Sequence, residues 1–212
     1  MVNKVKASVE PYGVCKLDDE GLDIIEKIID ESELEWIDGI IGTSTNVGNG
    51  ADEPKGDNFE EDLSIRTCKT SFLPVHDELT KLFGKLVVDY NLHYSGWNFD
   101  IEFIESIQLS HYYDGHFYDW HIDSFVNPVI QNDKKYQRKV SLTVFLNDPE
   151  EYEGGEFDLE IRGPNTEERY DTFKLPKGSV IVFPSHKWHR VRPVTSGVRK
   201  SLVIWIQGPP FK

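Results

Sequence analysis

The pattern that follows Trp97 is the strongest constraint on the fold. From there to residue 212 the chain consists of short runs of aromatic and β-branched residues, interrupted by Gly, Pro, Asn and Asp. Short strands separated by turn residues are typical of an antiparallel sandwich or barrel. The pattern favours a jelly roll, the double-stranded β-helix of cupin-like proteins. We expect strands at about 98–112, 117–123, 138–146, 156–162, 170–175, 179–183, 188–193 and 198–206.

The first part of the chain has a different pattern. Three acidic residues from Asp18 precede apolar residues at helical spacing, which predicts a helix at about 18–32. A second apolar stripe predicts a helix at about 77–92, and the residues of 64–73 favour a strand. The fold class is therefore mainly β with N-terminal helices.

The segment 39–62 is rich in Gly, Asn, Asp, Ser and Thr and predicts a long mobile loop. Loops of that length are either lids over a functional site or disordered inserts, and we favour a lid. A chain of 212 residues suits one domain. We expect a single domain over 1–212, with helical support and the loop in 1–96 and a jelly-roll catalytic core in 97–212.

Charge and cysteine content exclude several classes of protein. The formal net charge of −14 opposes attraction to nucleic acid or to anionic lipid. No apolar run predicts a secretory signal or a membrane span, so we expect a cytoplasmic protein. Cys15 and Cys68 lie far apart in sequence, which favours reduced thiols over a disulfide framework or a zinc site.

The motif His121-Ile122-Asp123 could arise by chance, but together with a later histidine it predicts a metal site. A His and an Asp two positions apart on an extended segment point to the same side, so both can bind one ion. His189, after a β-rich stretch, completes a set of two His and one carboxylate. That set leaves coordination positions open, as in non-haem iron(II) oxygenases. We therefore predict that His121, Asp123 and His189 are the metal ligands and the catalytic centre.

Other histidines compete for these roles. His186 is the strongest competitor because it precedes His189 by only three residues, and the turn at Pro184 lets only one of the two reach the metal. Spacing favours His189. His116 would point away from His121 on a regular strand. The remaining candidates are His76, His93 and His111.

Arg199 and Ser201 lie two residues apart, after a short segment at 193–197 that we expect to be a loop. We predict that this loop places both side chains on the strand next to that of His189, facing the same interior. A guanidinium binds a carboxylate through two parallel hydrogen bonds, and a Ser hydroxyl can add a third. A dicarboxylate oxoacid fits that arrangement. The alternative is an ion pair between Arg199 and an Asp or Glu of the protein.

From about residue 106 onward, the chain resembles the iron(II)/2-oxoglutarate dioxygenase superfamily, in its prolyl 4-hydroxylase branch. The resemblance fades over the first hundred residues. The segments that carry it are Tyr112-x-x-Gly115-x-Phe117-Tyr118-x-x-His121-x-Asp123, residues 140–147, Gly154-Gly155-Glu156-Phe157, Pro176-x-Gly178 and His189-Arg190-Val191-x-Pro193-Val194-x-x-Gly197-x-Arg199.

This resemblance implies a reaction and its cofactors. Iron(II) and 2-oxoglutarate bind with the distal carboxylate on Arg199, and dioxygen takes the remaining site. 2-Oxoglutarate yields succinate and CO2 while the substrate gains a hydroxyl group. Ascorbate is a further candidate cofactor. The expected substrate is a prolyl residue in a peptide or protein. The alternatives are a free amino acid or other small metabolite, or a non-catalytic jelly-roll binding module, and the acidic charge opposes a nucleic-acid demethylase.

One position departs from the pattern of that branch. Many prolyl hydroxylases place a Tyr hydroxyl beside the distal carboxylate where this chain has Phe145, which cannot donate a hydrogen bond. Ser201, Thr143 and Tyr112 are the candidates to replace it. A charged hydrogen bond contributes about 1.5–3 kcal/mol, so the loss would weaken binding without abolishing it.

Fewer signals point to the substrate. Aromatic faces suit a proline ring, and Tyr112 and Trp205 are our candidates for the substrate path. Arg66, on a predicted strand, could bind a peptide carbonyl, although most such Arg residues are merely exposed. Residues 124–138 come directly after the first two ligands and predict a loop at the rim of the site.

Overall fold

The computed structural model describes residues 10–39, 41–42, 59–60, 63–74, 76–124 and 128–211. Most of the predicted loop at 39–62 therefore lies outside the described residues. The helices are α1 (Asp19–Glu31), α2 (Asp77–Val88), a π-helix (Asp89–Tyr94) and a 3-10 helix (Pro149–Glu151). The strands are β1 (Gly13–Lys16), β2 (Ile37–Asp38), β3 (Ile41–Gly42), β4 (Phe59–Glu60), β5 (Arg66–Thr67), β6 (Lys69–Leu73), β7 (Phe103–Ile104), β8 (Ile107–Tyr112), β9 (Phe117–His121), β10 (Val129–Gln131), β11 (Lys134–Phe145), β12 (Tyr152–Gly154), β13 (Phe157–Glu160), β14 (Tyr170–Phe173), β15 (Ser179–Pro184), β16 (His189–Val191), β17 (Val194–Gly197) and β18 (Arg199–Gly208).

Two antiparallel sheets form the body of the fold. The larger sheet has the order β1-β15-β11-β18-β8-β6-β2, with β10 also paired to β11 and β7 to β18. The smaller sheet has the order β14-β13-β16-β9-β5, while β12 pairs with β17 and β3 with β4. Strands from the first part of the chain contribute to both sheets. The double-stranded β-helix predicted from the sequence is confirmed.

The alternation of side chains along β11 shows how the sheet separates two cores. Leu142 and Val144 point to one face of the larger sheet and join a core that includes Ile25 of α1 and Phe83 of α2. Successive strand residues point to opposite faces, so Phe145 points into the second core, between the two sheets. The first core anchors the helices, and the second surrounds the functional site.

Both predicted helices are present, with small changes at their ends. The Asp18 side chain caps α1 by accepting a hydrogen bond from the Gly21 backbone N–H at 2.9 Å, as the acidic start predicts. The second helix keeps α-geometry only to Val88 and continues as a π-helix to Tyr94. None of the helices in the described ranges is long and apolar enough to cross a bilayer.

Three predicted segments differ from the structure in detail. The strand expected at 64–73 is divided into β5 and β6, which lie in different sheets. The segment expected as one strand at 98–112 holds two, β7 and β8. The predicted rim loop at 124–138 contains a hairpin of β10 and β11, apart from 125–127, which lie outside the described residues. Asn132 and Asp133 form its turn with φ values of 50° and 61°, the left-handed conformation that two-residue hairpins require.

The segment at 193–197 also differs from the prediction. Its residues form β17, which pairs with the distant β12 rather than turning the chain back on itself. As a result, β16, with His189, lies in the smaller sheet, and β18, with Arg199, lies in the larger one. The predicted neighbouring strands were wrong: the two side chains belong to different sheets that enclose the same interior.

Candidate active site

Three side chains converge where β9 and β16 pair. His121 and His189 are direct cross-strand partners, and Asp123 lies two residues beyond the end of β9. The potential ligand atoms of the three residues all lie within 4.8 Å of one another. His189 Nε2 is 3.5 Å from Asp123 Oδ2, and His121 Nε2 is 3.8 Å from Asp123 Oδ1. The structure thus brings the predicted metal ligands together.

Backbone carbonyl groups orient both imidazole rings. His121 Nδ1 lies 2.8 Å from the carbonyl oxygen of Asp119, and His189 Nδ1 lies 2.9 Å from that of Lys187. A carbonyl oxygen only accepts hydrogen bonds, so each Nδ1 carries a proton, and in the neutral ring the lone pair of Nε2 is left for a metal. Burial and the nearby His189 lower the pKa of His121 well below its ordinary value. The neutral ring that a metal requires is therefore the stable form.

Asp123 is held as a carboxylate in a buried position. Burial alone would raise the pKa of its carboxyl group, but His189, His121, Arg138 and a hydrogen bond from Ser141 together lower it below the ordinary value. Ser141 Oγ donates to Asp123 Oδ2 at 2.7 Å. The acceptor set of two neutral imidazoles and one carboxylate fits iron(II) with open coordination positions.

Ser141 supports this carboxylate from the larger sheet, and its Oγ also lies 2.9 Å from Ser185 Oγ. We expect Ser141→Ala to weaken binding of a divalent metal by about 10- to 100-fold, the usual cost of losing an outer hydrogen-bond partner of a ligand. Titration of the protein with Mn(II), followed by electron paramagnetic resonance, measures this. Ser32→Ala, at the end of α1, is the control. Unchanged affinity in Ser141→Ala would contradict the assigned role.

The competing histidines lie elsewhere. The His186 ring packs against Phe99 and Phe211, with centroid distances of 6.3 and 6.0 Å. His111 packs on Trp36 at 4.2 Å. Within the described part of the chain, His121, Asp123 and His189 are the one group of three such residues close enough to share a metal. The preference for His189 over His186 agrees with this geometry.

Arg199 is a buried cation on β18, only 1% exposed. Its Nη1 donates a hydrogen bond to Ser201 Oγ at 3.0 Å, whereas Nε and Nη2 are buried without a hydrogen-bond partner among the described residues. None of the ion pairs between described residues includes Arg199. The alternative of an internal ion pair therefore finds no support. A buried guanidinium with two free donors fits an organic carboxylate.

Aromatic rings surround this guanidinium. The ring centres of Tyr112 and Phe145 are each 5.4 Å from the Arg199 guanidinium carbon. Burial raises the pKa of the Tyr112 hydroxyl. Thr143 is buried on β11 and points to the same face as Phe145. Phe145 thus lies beside Arg199, and the roles of Arg199, Thr143 and Tyr112 in binding the co-substrate stay predictions.

Trp205 lies farther along β18, directly opposite Ser141 of β11. The guanidinium of Arg138 stacks 3.8 Å from the Trp205 ring centre and donates two hydrogen bonds to Glu105, at 2.8 and 2.7 Å. Trp205 is 8% exposed. This cluster borders the triad through Ser141. Sequence reasoning missed Arg138 and Glu105, because their pairing joins strands far apart in the chain.

Arg66 is buried rather than exposed, and it stands beside the first ligand. Its guanidinium lies 4.6 Å from the ring centre of Tyr118, and Tyr118 stacks on His121 with centroids 3.5 Å apart and planes 11° apart. Arg66 Nε also donates to Cys68 Sγ at 3.1 Å. Its location inside the fold is compatible with contact to a substrate, which stays a prediction.

The second half of the chain is similar to known sequences. The profile of the 2OG-Fe(II) oxygenase superfamily matches residues 107–207. A PKHD-type hydroxylase of Hyphomonas neptunium is 43% identical over 95 residues, covering 44% of this chain and 39% of that protein. Another PKHD-type hydroxylase, from Synechococcus sp. strain CC9605, is 33% identical over 150 residues, covering 71% of this chain and 56% of that protein. The chain spans about half the length of the curated relatives it matches.

Solved structures share the fold at low sequence identity. A prolyl-4-hydroxylase from Pseudomonas putida superposes with a TM-score of 0.61 at 18% identity, covering 97% of this chain and 99% of that one. A prolyl hydroxylase from Trichoplax adhaerens was solved in complex with a peptide fragment of the hypoxia inducible factor oxygen degradation domain. It superposes with a TM-score of 0.60 at 18% identity, covering 92% of this chain and 83% of that one.

Proposed function

Because residues 107–207 match the profile of the 2OG-Fe(II) oxygenase superfamily, we propose that the chain is an iron(II)- and 2-oxoglutarate-dependent dioxygenase that hydroxylates prolyl residues in a peptide or protein. One observation carries the proposal. His121, Asp123 and His189 lie on or next to strands of the smaller sheet. Arg199, which is buried without an ion-pair partner among the described residues, faces the same interior from the larger sheet. Each group fits one of the two ligands that this chemistry requires.

The residues divide the work between holding the metal and holding the co-substrate. His121, Asp123 and His189 would hold iron(II), which, when bound, supplies the site where dioxygen is activated and 2-oxoglutarate is oxidatively decarboxylated to succinate. Arg199 and Ser201 would bind the distal carboxylate and so direct the 2-oxo end of the molecule toward the triad. The apolar residues between the sheets exclude water from this space.

The proposal of a peptide substrate rests on one solved neighbour and on the aromatic and basic residues beside the site. The T. adhaerens neighbour is described with a bound peptide, which favours a peptide as the general class. Trp205 and Arg66, together with Tyr112, are our candidates for contacts to it, because all three are buried in or beside the interior that holds the triad. A role for ascorbate and a cytoplasmic location are proposed on the sequence alone.

The cofactor assignment is tested by anaerobic titration of the iron(II)-loaded protein with 2-oxoglutarate. A chelated complex gives a weak visible charge-transfer band, which we expect in the wild type and not in His189→Ala. A protein that retains iron but develops no band would mean that Arg199 does not serve this co-substrate, and the binding-module alternative would replace the proposal.

The substrate class is tested separately by succinate formation. We expect turnover that depends on a proline-containing peptide and that free proline does not support. The reverse pattern would overturn the peptide assignment in favour of a small-metabolite hydroxylase, while leaving the cofactor assignment intact.

A further inference from the structure

Three buried polar atoms of two neighbouring side chains make no hydrogen bond of good geometry in the described chain, although the two side chains contact each other. They are Nε and Nη2 of Arg199 and the hydroxyl oxygen of Tyr152. Buried polar groups in folded proteins are nearly always hydrogen-bonded, so an unsatisfied cluster requires an explanation. A bound anion that accepts from all three groups would provide one.

The backbone brings Tyr152 to Arg199. Tyr152 begins β12 and is the cross-strand partner of Gly197, two residues before Arg199. Gly155 marks the point where the two side chains converge, because a Cβ there would lie 3.1 Å from Arg199 Cδ and 3.2 Å from a Tyr152 ring carbon. With its φ of 65°, Gly155 also adopts a conformation that other residues rarely tolerate.

Burial keeps the Tyr152 hydroxyl a hydrogen-bond donor. Burial raises the pKa of this hydroxyl, and although the charge of Arg199 and a hydrogen-bonding contact with it oppose that effect, the pKa stays above the ordinary value. The hydroxyl therefore stays protonated at neutral pH. Tyr152 is 3% exposed, and Lys174 Nζ donates to its carbonyl oxygen at 2.8 Å, which fixes the start of β12.

We propose that Tyr152 donates a hydrogen bond to the distal carboxylate of 2-oxoglutarate and so supplies the hydroxyl that Phe145 lacks. The inference rests on the proposed function and adds a binding residue from a strand outside both main sheets. Phe145 approaches the guanidinium from β11, and Tyr152 approaches it from β12. The carboxylate would then accept from the free nitrogens of Arg199, from Ser201 and from Tyr152.

The test is calorimetric titration of the Mn(II)-loaded protein with 2-oxoglutarate, which needs no turnover. We expect Tyr152→Phe to raise the Kd for 2-oxoglutarate by about 10- to 100-fold, the value of one charged hydrogen bond. Tyr12→Phe is the matched control, since it removes a hydroxyl that donates to Asp171 outside this cluster. The control should bind as the wild type does.

A second variant distinguishes the loss of a hydrogen bond to 2-oxoglutarate from a packing defect caused by Tyr152→Phe. Phe145→Tyr, introduced into Tyr152→Phe, returns a hydroxyl to the guanidinium from the other strand, and we expect it to recover most of the lost affinity. Recovery supports the proposal because a structural defect at Tyr152 would not be repaired at Phe145. Wild-type affinity in Tyr152→Phe, or a loss that Phe145→Tyr leaves unchanged, overturns it.

The same experiment distinguishes this inference from the proposed function. If the wild-type protein binds Mn(II) but not 2-oxoglutarate, the co-substrate assignment itself fails, and the role of Tyr152 fails with it. If the wild type binds and Tyr152→Phe binds equally well, the dioxygenase proposal stands and only the role of Tyr152 is lost. Thermal unfolding of each variant by circular dichroism verifies that it is folded.

Discussion

Replacing Asp123 with alanine is expected to raise the Kd for iron(II) by more than about 100-fold, because the loss of an outer partner of a ligand alone costs about 10- to 100-fold. The variant removes the one carboxylate of the triad and leaves two neutral imidazoles. These cannot balance the charge of the ion as the native set does. Turnover should fall to background even when iron is supplied in excess.

The measurement is iron(II) binding under anaerobic conditions, together with 2-oxoglutarate-dependent succinate formation. Asp114→Ala, in the exposed turn before β9, is the matched control because it removes an Asp without touching the site. Asp123→Asn adds a test of charge, since it keeps the size of the side chain. Normal iron affinity and turnover in Asp123→Ala would refute the metal assignment.

Replacing Arg199 with methionine is expected to cost about 3–5 kcal/mol of 2-oxoglutarate binding, the penalty for removing one partner of a buried ion pair. That penalty corresponds to an increase in Kd of more than about 100-fold. Methionine keeps an unbranched chain of similar length but offers no donor. The requirement for 2-oxoglutarate in turnover should rise steeply, while metal binding at the triad should be preserved.

The thermal stability of ligand-free Arg199→Met should not fall, although the variant loses affinity for 2-oxoglutarate. Arg199 is buried without an ion-pair partner among the described residues, and burial lowers the pKa of its guanidinium. Replacing an uncompensated buried charge with an apolar side chain is often neutral or stabilising. We therefore expect the Tm of the ligand-free variant to equal or exceed that of the wild type. Lys200→Ala, on the exposed side of the same strand, is the control, and a wild-type Kd in Arg199→Met would refute the assignment.

Two residues of the triad could be predicted from the sequence because the constraint on them is local. His121 and Asp123 share one extended segment, so a period of two already places them on one side. The distant His189 could be inferred from the order of the motifs. The resemblance to prolyl hydroxylases predicted that Phe145 lies beside the group that binds the distal carboxylate, and its ring centre is 5.4 Å from the Arg199 guanidinium. The fold class, which depends on such repeated local patterns, is confirmed, and the profile of the predicted superfamily matches residues 107–207.

The sequence could not reveal contacts that depend on which strands pair. Residues 193–197 look like a hairpin turn, but β17 pairs with the distant β12, and this pairing moves Arg199 into the other sheet. Tyr152 and Ser141 acquire their positions in the same way. A strand gives little sign in its own residues of which distant strand it will contact, because pairing is decided by packing across the whole domain.

The cross-strand pair of His121 and His189 determines the order in which folding and metal binding occur. The two imidazoles come from strands far apart in the chain, so the site exists only once non-local pairing of high contact order is complete. The metal cannot then act as an early nucleus of folding. A metal held by both imidazoles would bind only after the two strands have paired and would then link them, so iron supply should slow unfolding more than it accelerates folding.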